Sequence, residues 1–128
     1  MSTSARFGLN MPKNKDNTDQ ILNNDYQTPA YAATLNIVTK AAHTVVKPAT
    51  LTGALTINIA VGTSTSAPFV GDKIEFLFTG DATARTITYG TGVAPQIGTL
   101  ALGISKRGFA QFVFDGTAWM QIINGAQA

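Results

Sequence analysis

Polar chemistry in this 128-residue chain could reside in His43, Glu75 and the aspartates at 72, 81 and 115. A nucleophilic triad or a zinc site would need His43, the only histidine, with a carboxylate to orient it. His43 opens the short alternating stretch HTVVK (43–47) and reads as a strand or turn residue. Glu75 is the only glutamate; it alternates outward from Ile74, Phe76 and Phe78 and reads as a solvated or interface residue, paired across strands with a Lys or Arg. A glycosidase needs two placed carboxylates. Asp72, Asp81 and Asp115 all fall in turns, where Asp is favoured because it hydrogen-bonds nearby backbone. No Asp-x-Asp ladder offers a calcium loop. TYGTG and TGVAPQIGTL lack the Lys and following helix of a phosphate loop, and GTSTSAP (62–68) is a polar loop rather than a nucleophile elbow. The expectation is a non-enzymatic protein with no catalytic residue, metal or cofactor.

Recognition chemistry could reside in Trp119, the only tryptophan, within FAQFVFDGTAWMQIING (109–125). This stretch alternates, turns at Asp115-Gly116 and alternates again, the pattern of a β-hairpin. Four residues, Asp115 to Ala118, separate Phe114 from Trp119, so a longer loop or a bulged turn is expected. Phe112 and Phe114 share one face; Phe109, Gln111 and Val113 share the other. Trp119, Gln121 and Ile123 are expected on one face of the return strand, opposite Met120 and Ile122. Both faces carry apolar groups, so Trp119 reads as a core or subunit-interface residue, with Phe76, Phe78, Phe112 and Phe114.

The elements that would position these residues are strands. From Thr34 onward the chain offers eight short segments: TLNIVT (34–39), HTVVK (43–47), ALTINIAV (54–61), KIEFLFT (73–79), RTITYG (85–90), IGTLALGI (97–104), GFAQFVF (108–114) and AWMQII (118–123). Short strands about eleven residues apart, with glycine-rich turns between them, indicate an all-β sandwich or barrel. The connections are too short for helical crossovers, so an antiparallel β-sandwich, jelly-roll-like or barrel-like, is expected. Gly80 is expected to supply positive φ, and Asp81 an Asx turn, in the loop TGDATAR (79–85).

Residues 1–33 have a different grammar. They are rich in Asn, Asp, Lys and Gln, with spaced apolar clumps at Phe7, Leu9, Met11, Ile21, Leu22, Tyr26 and Tyr31. Such a segment buries too little surface to fold alone. It reads either as a disordered tail or, the favoured reading, as an extended arm that orders on a partner, the clumps being its anchor points, and NTDQ (17–20) could cap a short helical turn. Fully extended, 33 residues span up to roughly 110 Å. Residues 34–128 are then the sandwich domain.

Composition bounds the partners. Charged residues make up 12% of the chain, about half the usual share. Eighteen threonines supply polar surface instead, which suits sheet faces and surfaces covered by neighbouring subunits. The net charge of +2 has no basic cluster beyond Lys106-Arg107, so no footprint for nucleic acid is visible. No apolar run is long enough for a membrane span, and the first residues lack the apolar core of a signal peptide. The chain has no cysteine.

The stretch GDKIEFLFTGDATARTITYGTG…GISKRGFAQFVFDGTAWMQI, about residues 71–123, resembles small β-rich virion structural proteins of tailed bacteriophages: head-decoration, head-fibre and tail-fibre modules. The likeness is carried by Gly108-Phe109, by Phe112-Val113-Phe114-Asp115-Gly116-Thr117 and by Trp119. It implies a homo-oligomer, commonly a trimer, that coats or projects from a capsid or tail after assembly in the host cytoplasm. It also implies attachment to the major capsid protein or another virion protein through the N-terminal arm. Two other readings stand beside a capsid decoration or head-fibre protein. One is a tail or baseplate adaptor. The other is a glycan-binding β-module using Trp119, Tyr89 and turn aspartates.

Overall fold

The computed structural model describes residues 24–62, 68–94 and 98–128. Nine strands occur among them: β1 (Asn24–Gln27), β2 (Thr34–Ile37), β3 (His43–Val46), β4 (Leu55–Ile59), β5 (Lys73–Thr79), β6 (Arg85–Tyr89), β7 (Leu100–Leu102), β8 (Arg107–Phe114) and β9 (Trp119–Ala126). They form a five-stranded sheet in the order β9-β8-β5-β3-β1 and a four-stranded sheet in the order β2-β4-β6-β7.

Apart from β1, the strands lie where apolar residues alternate. β5 buries Ile74, Phe76 and Phe78 and turns Lys73 and Leu77 outward; β4 buries Leu55, Ile57 and Ile59. A one-residue slip in either would place these side chains in water, so the register is tightly specified. The inward residues of both sheets form one core, which includes Val46, Leu51, Ile87, Leu102 and Trp119. Phe76 stacks on Phe78 at 5.7 Å and meets Phe112 edge-on at 5.6 Å; Tyr89 meets Phe112 at 5.3 Å. These edge and offset contacts are the geometries aromatic rings prefer.

The architecture is the expected sandwich, with mixed rather than wholly antiparallel pairing. From β1 to β6 the chain alternates between sheets, so β1-β3-β5 and β2-β4-β6 are parallel. Each parallel connection is made by a strand of the opposite sheet instead of a helix, so short connections did not require antiparallel neighbours. Antiparallel pairing begins at the end of the chain: β6 with β7, β5 with β8 and β8 with β9.

All eight expected segments are strands. β1, within the expected arm, is the ninth. It adds to the edge of the five-stranded sheet by pairing with β3, and Ala49 N donates to Pro29 O at 2.9 Å just beyond it. Residues 24–33 therefore run along the sandwich. The β9 register shifts between Gln121 and Ile123, so Ile122 is the extra residue of a bulge. The bulge reverses the later part of the strand. Ile123 faces solvent instead of sharing the inward face of Trp119 and Gln121, and Asn124 turns toward the other sheet, accepting from the Tyr89 hydroxyl at 3.0 Å.

Candidate functional site

Among the described residues, His43, Glu75 and the aspartates at 72, 81 and 115 do not converge on a single site. His43 and Glu75 meet on the outer face of the five-stranded sheet at 3.3 Å, and the Gln111 side chain donates to Glu75 at 3.4 Å. Glu75 thus takes a histidine and a glutamine as cross-strand partners, not the expected Lys or Arg. Asp81 is held by Arg85 through two bonds of 3.0 and 2.8 Å and accepts from Thr83 N at 3.1 Å, the expected Asx turn. The Arg85 guanidinium keeps the Asp81 carboxyl below the usual carboxylate range. Gly80, expected at positive φ, is not among the residues with that conformation. A Cβ there would press on the carbonyls of Lys106 and Gly103 at 3.0 and 3.1 Å, so close approach is what favours glycine at this position.

Asp115 closes the β8–β9 loop. Its Oδ1 accepts from Thr117 N and Ala118 N at 2.8 and 2.9 Å, which lowers its pKa, and Gly116 takes φ 103°. Among the described residues no group of three or more His, Cys, Asp or Glu side chains is arranged to hold a metal ion.

Trp119 is fully buried. Its indole NH donates to Ala60 O at 3.0 Å and its ring tilts against Phe114 at 5.2 Å. Its backbone bonds Gly92 O and Ala94 N, tying the 90–94 turn to β9. Phe76, Phe78, Phe112 and Phe114 are buried with it, so all five residues expected in a core or interface lie in the core of this chain. Tyr89 is also buried, which raises its phenol pKa, and it bonds Asn124. The aromatic platform of a glycan site through Trp119 and Tyr89 is therefore not at the surface.

Of the expected arm anchors, Phe7, Leu9, Met11, Ile21 and Leu22 lie outside the described residues. Tyr26 projects from β1, 62% exposed. Tyr31 packs against the core and its hydroxyl donates to Ala54 O at 2.7 Å, over Gly53.

Two surface features were not singled out by the sequence reading. The first is on the outer face of the five-stranded sheet. The paired rows of β5, β8 and β9 bring Leu77 beside Phe109 and Phe109 beside Gly125. Gly125 seats the Phe109 ring: a Cβ there would meet it at 2.7 Å. Leu77 and Phe109 remain 43% and 47% exposed and floor a groove of about 790 Å³. Lys47, Arg107, Thr79 and Gln127 also line it, and among the described residues no Asp or Glu side chain does. The two ion pairs among the described residues are His43–Glu75 and Arg85–Asp81, so Lys47 and Arg107 take part in neither.

The second feature is the turn Phe69-Val70-Gly71-Asp72. Asp72 N donates to Phe69 O at 3.0 Å, the Asp72 carboxylate accepts from Phe69 N at 3.0 Å, and Gly71 takes φ 94°. Positive φ at the third position is what a type II turn requires. Gly71 N and Asp72 O both bond Phe114, so the turn prolongs the β5–β8 ladder. Phe69 and Val70 are each 74% exposed at its tip, with Val70 beside Gly116.

Comparison with protein-family models and with curated proteins gave no match to this chain.

Proposed function

We propose that this chain is a non-enzymatic structural protein of a tailed-bacteriophage virion, a capsid decoration or head-fibre protein attached through its N-terminal arm. The observation that carries the reading is the outer face of the five-stranded sheet. Tyr26, Leu77, Phe109, Ile122 and Ile123 lie exposed on its strands, while Glu75 is the only acid of β3, β5, β8 and β9. Exposed apolar groups gathered on one face mark a surface that meets a partner. A subunit of a shell or fibre needs such a surface, and it needs little charge there. The resemblance over residues 71–123 supports the virion assignment, since this span supplies β5 to β8, the first part of β9 and most of the antiparallel pairing of the fold.

Attachment by the arm is tested with full-length protein and purified phage particles. Phe7→Ser, Leu9→Ser and Met11→Ser together should abolish cosedimentation with the particles and leave the far-ultraviolet circular dichroism unchanged. Undiminished cosedimentation of the triple variant would contradict attachment through these anchors. The ten residues 24–33 should be left intact in such tests, because β1 and Tyr31 are packed on the sandwich.

A further inference from the structure

We infer that copies of this chain associate head to tail, the Phe69-Val70 turn of one copy entering the Leu77/Phe109 groove of the next. The inference rests on the reading of the chain as an assembling protein and adds the pair of surfaces through which copies meet.

The two surfaces are complementary in shape and charge. The turn is a convex tip with two exposed apolar side chains, 74% exposed each. Its carboxylates are Asp72, at the base of the turn, and Asp115, in the loop against which Val70 lies. Lys73 follows Asp72, so the tip region carries two acids and one base. The groove is concave, with an apolar floor and the cations Lys47 and Arg107. Backbone bonds from Thr117 and Ala118 favour the ionised form of Asp115, which keeps the tip negative. Both surfaces are pre-formed. The turn is locked by the Asp72 side chain, and the groove floor is set by the β5–β8–β9 register. Association therefore costs little ordering of either part.

Their placement fixes the kind of contact. The tip precedes Lys73 at the start of β5, and the groove lies around Leu77 and Thr79 at its end. Four residues of strand, Lys73 to Phe76, separate Asp72 from Leu77, which sets the two features roughly 17 Å apart. A surface that meets a different surface on the next copy is heterologous, and such contacts build rings or open fibres. One turn tip buries less than a tight dimer needs, so the contact is weak in isolation and gains strength when copies are held side by side.

The test uses the isolated full-length chain, which separates it from virion location. Sedimentation velocity up to roughly millimolar protein should show reversible association that weakens with added salt. Phe69→Ser with Val70→Ser should remove the apolar tip without adding charge, and Lys47→Glu with Arg107→Glu should reverse the charge of the groove. Each variant alone should be monomeric, with circular dichroism like the parent, because the substituted residues are exposed. When the two are mixed in equal amounts, the intact groove of the tip variant can accept the intact tip of the groove variant, while the two remaining surfaces are both disabled, so the variants should form a dimer that goes no further. Since the chain has no cysteine, Val70→Cys and Gln127→Cys introduce the only thiols. An equimolar mixture of these two single variants should yield the mixed disulfide in excess over either homodimer. Absence of association in the parent, undiminished association in either double variant, a mixture that stays monomeric, or homodimer disulfides in excess would each overturn the inference.

Discussion

Trp119→Phe probes the joint between the two sheets and can be worked through from its contacts. The substitution removes the indole NH that donates to Ala60 O at 3.0 Å. Loss of a partner for a half-buried carbonyl costs about 1 kcal/mol, the low end of the range because water can reach Ala60 in part. The missing part of the indole leaves a void of about 40 Å³, which adds about 1 kcal/mol at the usual cavity coefficient. The 5.2 Å contact with Phe114 is weakened as the smaller ring shifts, and this contributes up to about 1 kcal/mol more. The expected loss is about 2–3 kcal/mol, a large fraction of the stability of a domain this size. The melting temperature should fall by about 8–12 °C. Guanidinium unfolding followed by far-ultraviolet circular dichroism measures the change, with the denaturant slope unaltered if the sandwich stays intact. A loss below about 0.5 kcal/mol would refute the role given to Trp119, since that is the range of surface substitutions. Iodide should fail to quench the fluorescence of the parent's single tryptophan, and ready quenching would refute its burial.

Three further predictions follow from the turns and the interior. Gly92→Ala should destabilise by about 1–3 kcal/mol, because Gly92 has φ 89° and a Cβ there would collide with the Ile59 carbonyl; thermal unfolding measures it. Asp81 has a lowered pKa in the folded state, so its contribution is present above the ordinary carboxylate range and is lost as pH falls through the folded value. Asp81→Asn should therefore lower stability at neutral pH and flatten the acid limb of the pH–stability curve; an acid limb unchanged in slope would contradict this. Tyr89 has a raised pKa because of burial, so its contribution is present below the ordinary phenol range and declines as pH rises above it. Tyr89→Phe should make stability less sensitive to alkaline pH and cost about 1 kcal/mol at neutral pH through loss of the bond to Asn124.

How much of this was legible depended on whether local pattern or long-range pairing decided the outcome. KIEFLFT forms β5 over the expected residues 73–79, because a strict two-residue alternation admits one register. The roles of Asp81 and Asp115 were also readable, since an aspartate in a turn bonds backbone two or three residues away. NDYQ, which forms β1, has no apolar alternation. Its strand is specified by an open edge at β3, which only the assembled sheet supplies. The outward turn of Ile123 was hidden for a similar reason: an inserted residue in β9 has no local signature among Gln121, Ile122 and Ile123. The parallel order of the first six strands depends on which sheet each one joins, and alternation is the same in either. The groove joins residues from Lys47 to Gln127, and the exposed tip at Phe69-Val70 looks in sequence like the start of a strand. Their complementarity emerges only when β5 sets them at opposite ends.

Particle composition tests the central claim most directly. Tailed-phage particles that carry this gene should be purified through a density gradient, and their proteins quantified by mass spectrometry against the major capsid protein. The account predicts that the chain is present in intact particles at a fixed ratio to the capsid subunit, and that the ratio is unchanged by further rounds of banding. Particles that band at full density, infect normally and contain none of this protein would contradict it.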